Sequence, residues 1–89
     1  MTGEQLADGL VKAGELLEQA VRWDPYNEEL YQQIMRVHAQ LGHVEETRRT
    51  YRRPELRMAN LGDDPSEPTR QLRDQLLRMT PSRDHAVGQ

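Results

Sequence analysis

The 89-residue chain contains no cysteine and no phenylalanine, and aromatic residues make up only 4% of it. Without thiols there is no disulfide framework, no thiol nucleophile and no thiolate zinc site. Long apolar runs are missing as well. Met1–Ala20 is broken by Glu4, Asp8, Lys12, Glu15 and Glu18, so it is no secretory leader, and nothing approaches the length of a membrane span. No segment shows the β-branched alternation of a strand. An excess of basic charge is also lacking: the net charge of -3 argues against a dedicated binder of nucleic acid or of an anionic membrane.

What the chain does have is 30% charged residues, 35% hydrophobic residues and 11 leucines. Full burial contributes roughly 1.5–3 kcal/mol per large side chain, while ordering a residue costs about 1.5 kcal/mol. One thin helical layer barely balances that sum, so a neighbouring domain or a second copy would help it. A large enzyme core is excluded.

Punctuation divides the chain into helical runs. Thr2 with Gln5 has the pattern of a capping box. Leu6, Leu10, Ala13, Leu17, Ala20 and Val21 then recur at helical spacing up to Trp23. Gly9 and Gly14 each weaken that helix by about 1 kcal/mol relative to Ala. Residues 1–8 are therefore expected as an N-terminal extension or a frayed helix start, with the helical domain proper over 9–79.

Asp24-Pro25-Tyr26-Asn27 reads as a turn followed by an N-cap, and Glu28 and Glu29 suit the helix dipole. Leu30, Ile34, Val37 and Leu41 trace the next apolar stripe, flanked by Tyr31, Met35 and His38. Gly42 ends it as a left-handed cap. A third run goes from Val44 through Thr47 to Tyr51. Pro54 removes a backbone donor and clashes with the preceding turn, which predicts a break near Arg53 and a resumed turn through Leu56, Ala59 and Leu61. Gly62 to Pro68 is a loop that includes Pro65. Ser66 is the expected cap of a last helix whose buried face is Leu72, Leu76, Leu77 and Met79. Thr80 and Pro81 stop it, and residues 80–89 read as a disordered tail.

Helix-pair repeats recur at a period of about 34 residues. At that offset Leu10 falls on Val44, Ala13 on Thr47 and Leu17 on Tyr51, while Ala20 on Pro54 and Pro25 on Ala59 break the correspondence. Tyr31, Ile34, Met35, Leu41 and Gly42 sit where the first helix of a tetratricopeptide unit puts its bulky and turn residues. The expected fold is all-α, a tetratricopeptide-like right-handed array of about four helices.

A narrower likeness runs from Leu16 to Leu77. Leu17-Glu18-Gln19-Ala20, Asp24-Pro25-Tyr26-Asn27-Glu28-Glu29-Leu30-Tyr31, Met35, Leu41-Gly42, Tyr51-Arg52-Arg53 and Leu61-Gly62-Asp63-Asp64-Pro65-Ser66 follow one another before Leu72. This order resembles the bacterial transcriptional activator domain, the helical part of antibiotic-pathway regulators of actinobacteria. The resemblance gives Pro25, Gly42, Tyr51, Gly62 and Pro65 structural roles. It also implies an unbroken helix after the tyrosine, from which Pro54 departs. Such regulators carry a winged-helix DNA reader ahead of this module, and no part of this chain has that character.

The candidate sites are sparse. His38 and His43 are five apart, hence on different helix faces, and His85 lies in the tail, so no metal site is expected. The adjacent pairs Glu28/Glu29, Glu45/Glu46 and Asp63/Asp64 lie near helix starts, where dipole compensation explains them. No acid–base or nucleophilic constellation and no cofactor site is expected. Arg48, Arg49, Arg52, Arg53 and Arg57 form a basic surface, read as a solvated or acid-paired face diluted by Glu45, Glu46 and Glu55. Trp23, Tyr31 and Tyr51 are expected to pack helices, although Trp23 and Tyr26 bracket a turn where an exposed aromatic would anchor a partner. Glu29, Gln32, Arg36 and Gln40 make the polar face of the Glu28–Leu41 helix, the candidate partner-binding groove.

The function expected is that of a protein–protein interaction or oligomerisation module of a bacterial transcriptional regulator, non-enzymatic, cytoplasmic and without its own DNA-binding domain. Its partner would be itself as a homodimer, a neighbouring domain or the transcription machinery. Direct nucleic-acid and membrane contact are not expected. Two alternatives stand beside it: a generic tetratricopeptide adaptor holding a peptide or helix in its groove, and weak nucleic-acid contact through the Arg-rich helix.

Overall fold

The computed structural model describes residues 2–79, with side chains from Ala7 onward. The capping box expected of the Thr2 and Gln5 side chains, and the tail over 80–89 with His85, lie outside the described residues. Five helical segments follow one another: α1 (Thr2–Trp23), α2 (Glu28–Gln40), α3 (Val44–Tyr51), the short α4 (Pro54–Met58) and α5 (Glu67–Met79). No strand occurs among the described residues. The fold is an all-α, tetratricopeptide-like array. Short turns set consecutive helices side by side, and α2 is the central element, packed on α1, α3 and α5.

The core follows from that placement. Tyr31, Ile34 and Met35 of α2 are fully buried, as is Leu56 of α4; Val21 of α1 is buried with Tyr31, Ile34 and Leu56, and Leu17, Leu30 and Tyr51 pack against that cluster. Helix α1 runs unbroken through both of its glycines. Gly14 is a point of close approach, where a side chain would meet Val37 Cγ1 at 3.5 Å. Three threonines are as buried as the apolar core: Thr47, Thr50 and Thr69. Thr47 and Thr50 satisfy their hydroxyls on the carbonyls of His43 (3.0 Å) and Glu46 (2.8 Å), one turn back.

Local chemistry fixes each junction. In the first turn Asn27 caps α2 by accepting from the Glu29 N–H (3.1 Å) and donates to Asp24 (3.0 Å). The buried Tyr31 hydroxyl reaches back to donate to the Pro25 carbonyl at 2.6 Å, and burial raises its pKa above the usual phenol value. Helix α2 ends at a left-handed Gly42 (φ +79). There the His43 N–H donates to the His38 carbonyl (2.8 Å) and the Gly42 N–H to that of Ala39 (3.0 Å), the Schellman arrangement. The break at Arg53 places Pro54 in the first turn of α4, where its missing N–H is harmless. A second Schellman turn ends α4, with Leu61 (φ +58) and Gly62 (φ +87) both left-handed. Leu61, in that left-handed turn, is 95% exposed.

The contact that seats the last helix is polar. Glu28, the first residue of α2, accepts on one carboxylate oxygen from the Ser66 N–H (3.0 Å), the Ser66 hydroxyl (2.5 Å) and the Thr69 hydroxyl. Gln32, one turn along α2, donates to the Thr69 oxygen at 2.8 Å. Ser66 thus precedes α5 as expected, but its hydroxyl donates to another helix. Burial pushes the Glu28 pKa up, and the bonds from Ser66 and Thr69 outweigh it, leaving the group below the usual carboxylate range.

A carboxyl whose folded pKa is depressed stabilises the fold above its unfolded pKa and loses that contribution as pH falls through the folded value. Glu28→Gln should therefore lower stability at pH 7 by about 1–2 kcal/mol. In thermal melts followed by circular dichroism, the gap from wild type should close as pH falls below about 4; a gap unchanged across that range would remove the charge from the account.

Candidate functional site

Two concave features flank α2. The first is an apolar recess of about 230 Å³ between α1 and the end of α2, lined by Leu10, Val11, Gly14, Val37, His38 and Leu41. His38 was expected to stand apart from His43. The Schellman turn brings the rings to 5.8 Å between centroids instead, because it places its two flanking side chains together. The Nδ1 of His38 is buried, with no hydrogen-bond partner among the described residues. Burial lowers the His38 pKa below its ordinary value, and the neighbouring Glu46 only partly opposes this. Among the described residues no group of three His, Asp or Glu side chains is placed to hold a metal ion.

The second feature is a groove of about 420 Å³ between α2 and α5. Ala39, Leu72, Leu76 and Met79 form its floor, with Arg36, Gln40 and Gln75 at its edges. The last helix was expected to bury Leu72, Leu76, Leu77 and Met79. The structure leaves the three leucines half-buried and Met79 67% exposed, because no described helix covers that side and α5 is seated through Thr69. Of the polar face predicted on α2, Arg36 and Gln40 do line this groove. Gln32 is spent on Thr69, and Glu29 is exposed outside the groove lining. Among the described residues Arg36 makes no ion pair.

The arginine cluster is largely neutralised. Arg48 pairs with Glu45 and Arg49 with Glu46, each at 3.0 Å, and Arg57 lies 3.7 Å from Asp64. Arg53 forks onto Glu18 of α1, one limb at 3.1 Å, and its guanidinium lies 5.7 Å from the Tyr31 ring centroid. The hydrogen bond to Glu18 raises the Arg53 pKa further. The face shared by Arg49, Arg53 and Arg57 in a continuous helix does not form, because the chain breaks at Arg53. Tyr51 carries the Arg73 guanidinium 4.3 Å above its ring, tying α3 to α5. Trp23 does not pack between the described helices: it is 89% exposed and Tyr26 54%, since Trp23 projects from the end of α1 opposite the core stripe.

Helical pairs stacked about one central helix define a tetratricopeptide-like domain. The chain belongs to the bacterial transcriptional activator domain family, whose profile matches residues 7–77. This is a regulatory family rather than one of enzymes, so the chain is a helical domain related to transcriptional activation. Neither the curated proteins nor the solved structures contain a match to it. No helix among the described residues is long and apolar enough to cross a membrane.

His38 protonates less readily folded than unfolded. Its contribution therefore opposes folding increasingly as pH drops below the ordinary imidazole pKa of about 6.5. His38→Leu removes a buried orphan nitrogen and should raise stability by about 1 kcal/mol at pH 8. The gain should be larger at pH 5.5. Melting curves of wild type and variant that stay parallel in pH would contradict this placement of the ring.

Proposed function

We propose that this domain is the protein-contact module of a bacterial transcriptional regulator, acting in the cytoplasm beside a DNA reader carried elsewhere. The observation that carries the reading is the α2–α5 groove. No described helix covers its apolar floor of Leu72, Leu76 and Met79, and the edge residue Arg36 has no ionic partner among the described residues. An amphipathic helix from a neighbouring domain or the transcription machinery, with leucine-like residues on one face and a carboxylate at its margin, matches that surface. Direct nucleic-acid contact has less support, since four of the five clustered arginines already face carboxylates.

Fusion of the chain to an unrelated DNA-binding domain upstream of a reporter promoter tests this. Leu76→Asp and Arg36→Glu should each lower reporter output about tenfold or more, the effect of losing about 1.4 kcal/mol of binding. Arg52→Ala should leave output unchanged. Equal output from all three, with wild-type helicity, would remove the groove from the function.

A further inference from the structure

We propose that the outer face of α1 is a self-association surface, on which a second copy of this chain docks antiparallel. This face is separate from the α2–α5 groove and goes beyond the reading given to it. Lys12, Leu16, Gln19 and Trp23 all lie on the solvent side of α1, Leu16 60% exposed and Trp23 89%. Their successive spacings of four, three and four residues are those of a coiled-coil seam. The seam lies opposite Leu10, Leu17 and Val21, the stripe that α1 turns toward the core. The outermost line of a surface helix is ordinarily polar; here half of it is large and apolar.

Charge selects the occupant. Glu15 and Arg22 stand one heptad apart on the same border of the seam, both exposed, and neither has an ion pair among the described residues. In an antiparallel pair Leu16 packs against Gln19 of the other copy, and Lys12 lies against the other copy's Trp23 ring. Glu15 of each copy then meets Arg22 of the other, twice by symmetry. The pattern is self-complementary about a two-fold axis, as an isologous contact requires. A parallel pair would set Glu15 against Ala20 and leave the charges unmatched. The Lys12 stem covers the indole face while its ammonium gains a cation–π contact. The seam is short, about 16 Å at 1.5 Å per residue, so the dimer is weak and reversible.

Light scattering after size exclusion should show the wild-type mass moving from one chain to two between about 10 µM and 1 mM. Trp23 is the sole tryptophan, and its emission should shift to the blue over the same range as its ring leaves water. Glu15→Arg and Arg22→Glu should each raise the dissociation constant about tenfold, because each sets like charges together at both ends. Mixing these two variants should restore association as a heterodimer visible by native mass spectrometry, since every charge then meets its opposite. Both substituted positions are exposed, and circular dichroism checks that the helices are retained. A wild-type chain that stays monomeric up to about 1 mM would overturn the proposal, as would single variants that dimerise like wild type. Leu76→Asp should leave this dimer intact; a dimer lost with Leu76 belongs to the groove and overturns the α1 assignment, whereas a reporter defect with the dimer retained leaves it standing.

Discussion

One carboxylate holds the arrangement together. Glu28 opens α2 and closes on the start of α5, taking up the Ser66 N–H and the hydroxyls of Ser66 and Thr69. A helix begins with N–H groups that have no intrahelical partner and a positive end of its dipole. Helix α5 meets that need with a side chain from a different helix. Because Glu28 also sits in the first turn of α2, one negative charge serves two helix N-termini. The chain between α4 and α5 must therefore come back to the start of α2, and Pro65 is buried there.

Thr69 and Gln32 seat α5 by its first turn, and its later turns border the groove beside α2. Arg73 over Tyr51 steadies the middle of α5 against α3, but Leu72, Leu76 and Met79 keep one side open. Three fully buried positions hold threonines, which bury less apolar surface than larger aliphatic side chains would.

Much of this was legible in the sequence. Asp24-Pro25-Tyr26-Asn27, Gly42 and Pro54 each carry a local backbone requirement, and the helices begin and end where those residues dictate. The inner stripe of α2 was equally plain, because its spacing keeps Tyr31, Ile34 and Met35 on the faces its neighbours cover. What was not legible is contact between distant segments. Glu28 satisfies a helix dipole locally whether or not Ser66 finds it, so its type said nothing of its second role. Trp23 follows the apolar rhythm of α1 closely enough to pass for a packing residue, yet it stands about half a turn from the core stripe. His38 and His43 meet only because the left-handed Gly42 reverses the chain, and a face count along a straight helix does not see that. Of the residues named for a groove, Arg36 and Gln40 line the α2–α5 cleft. Gln32 was lost to the Thr69 bond and Glu29 to solvent.

The claim most exposed to experiment is that Glu28 fastens α5 to α2 and so shapes the groove. Amide hydrogen exchange by NMR reads it residue by residue. The account predicts that the Ser66 N–H exchanges as slowly as those of Tyr31 and Ile34, so that all three open only with the whole array. A Ser66 amide exchanging at the rate of an unstructured peptide, while α2 stays protected, would show that α5 is not held there and would contradict the account.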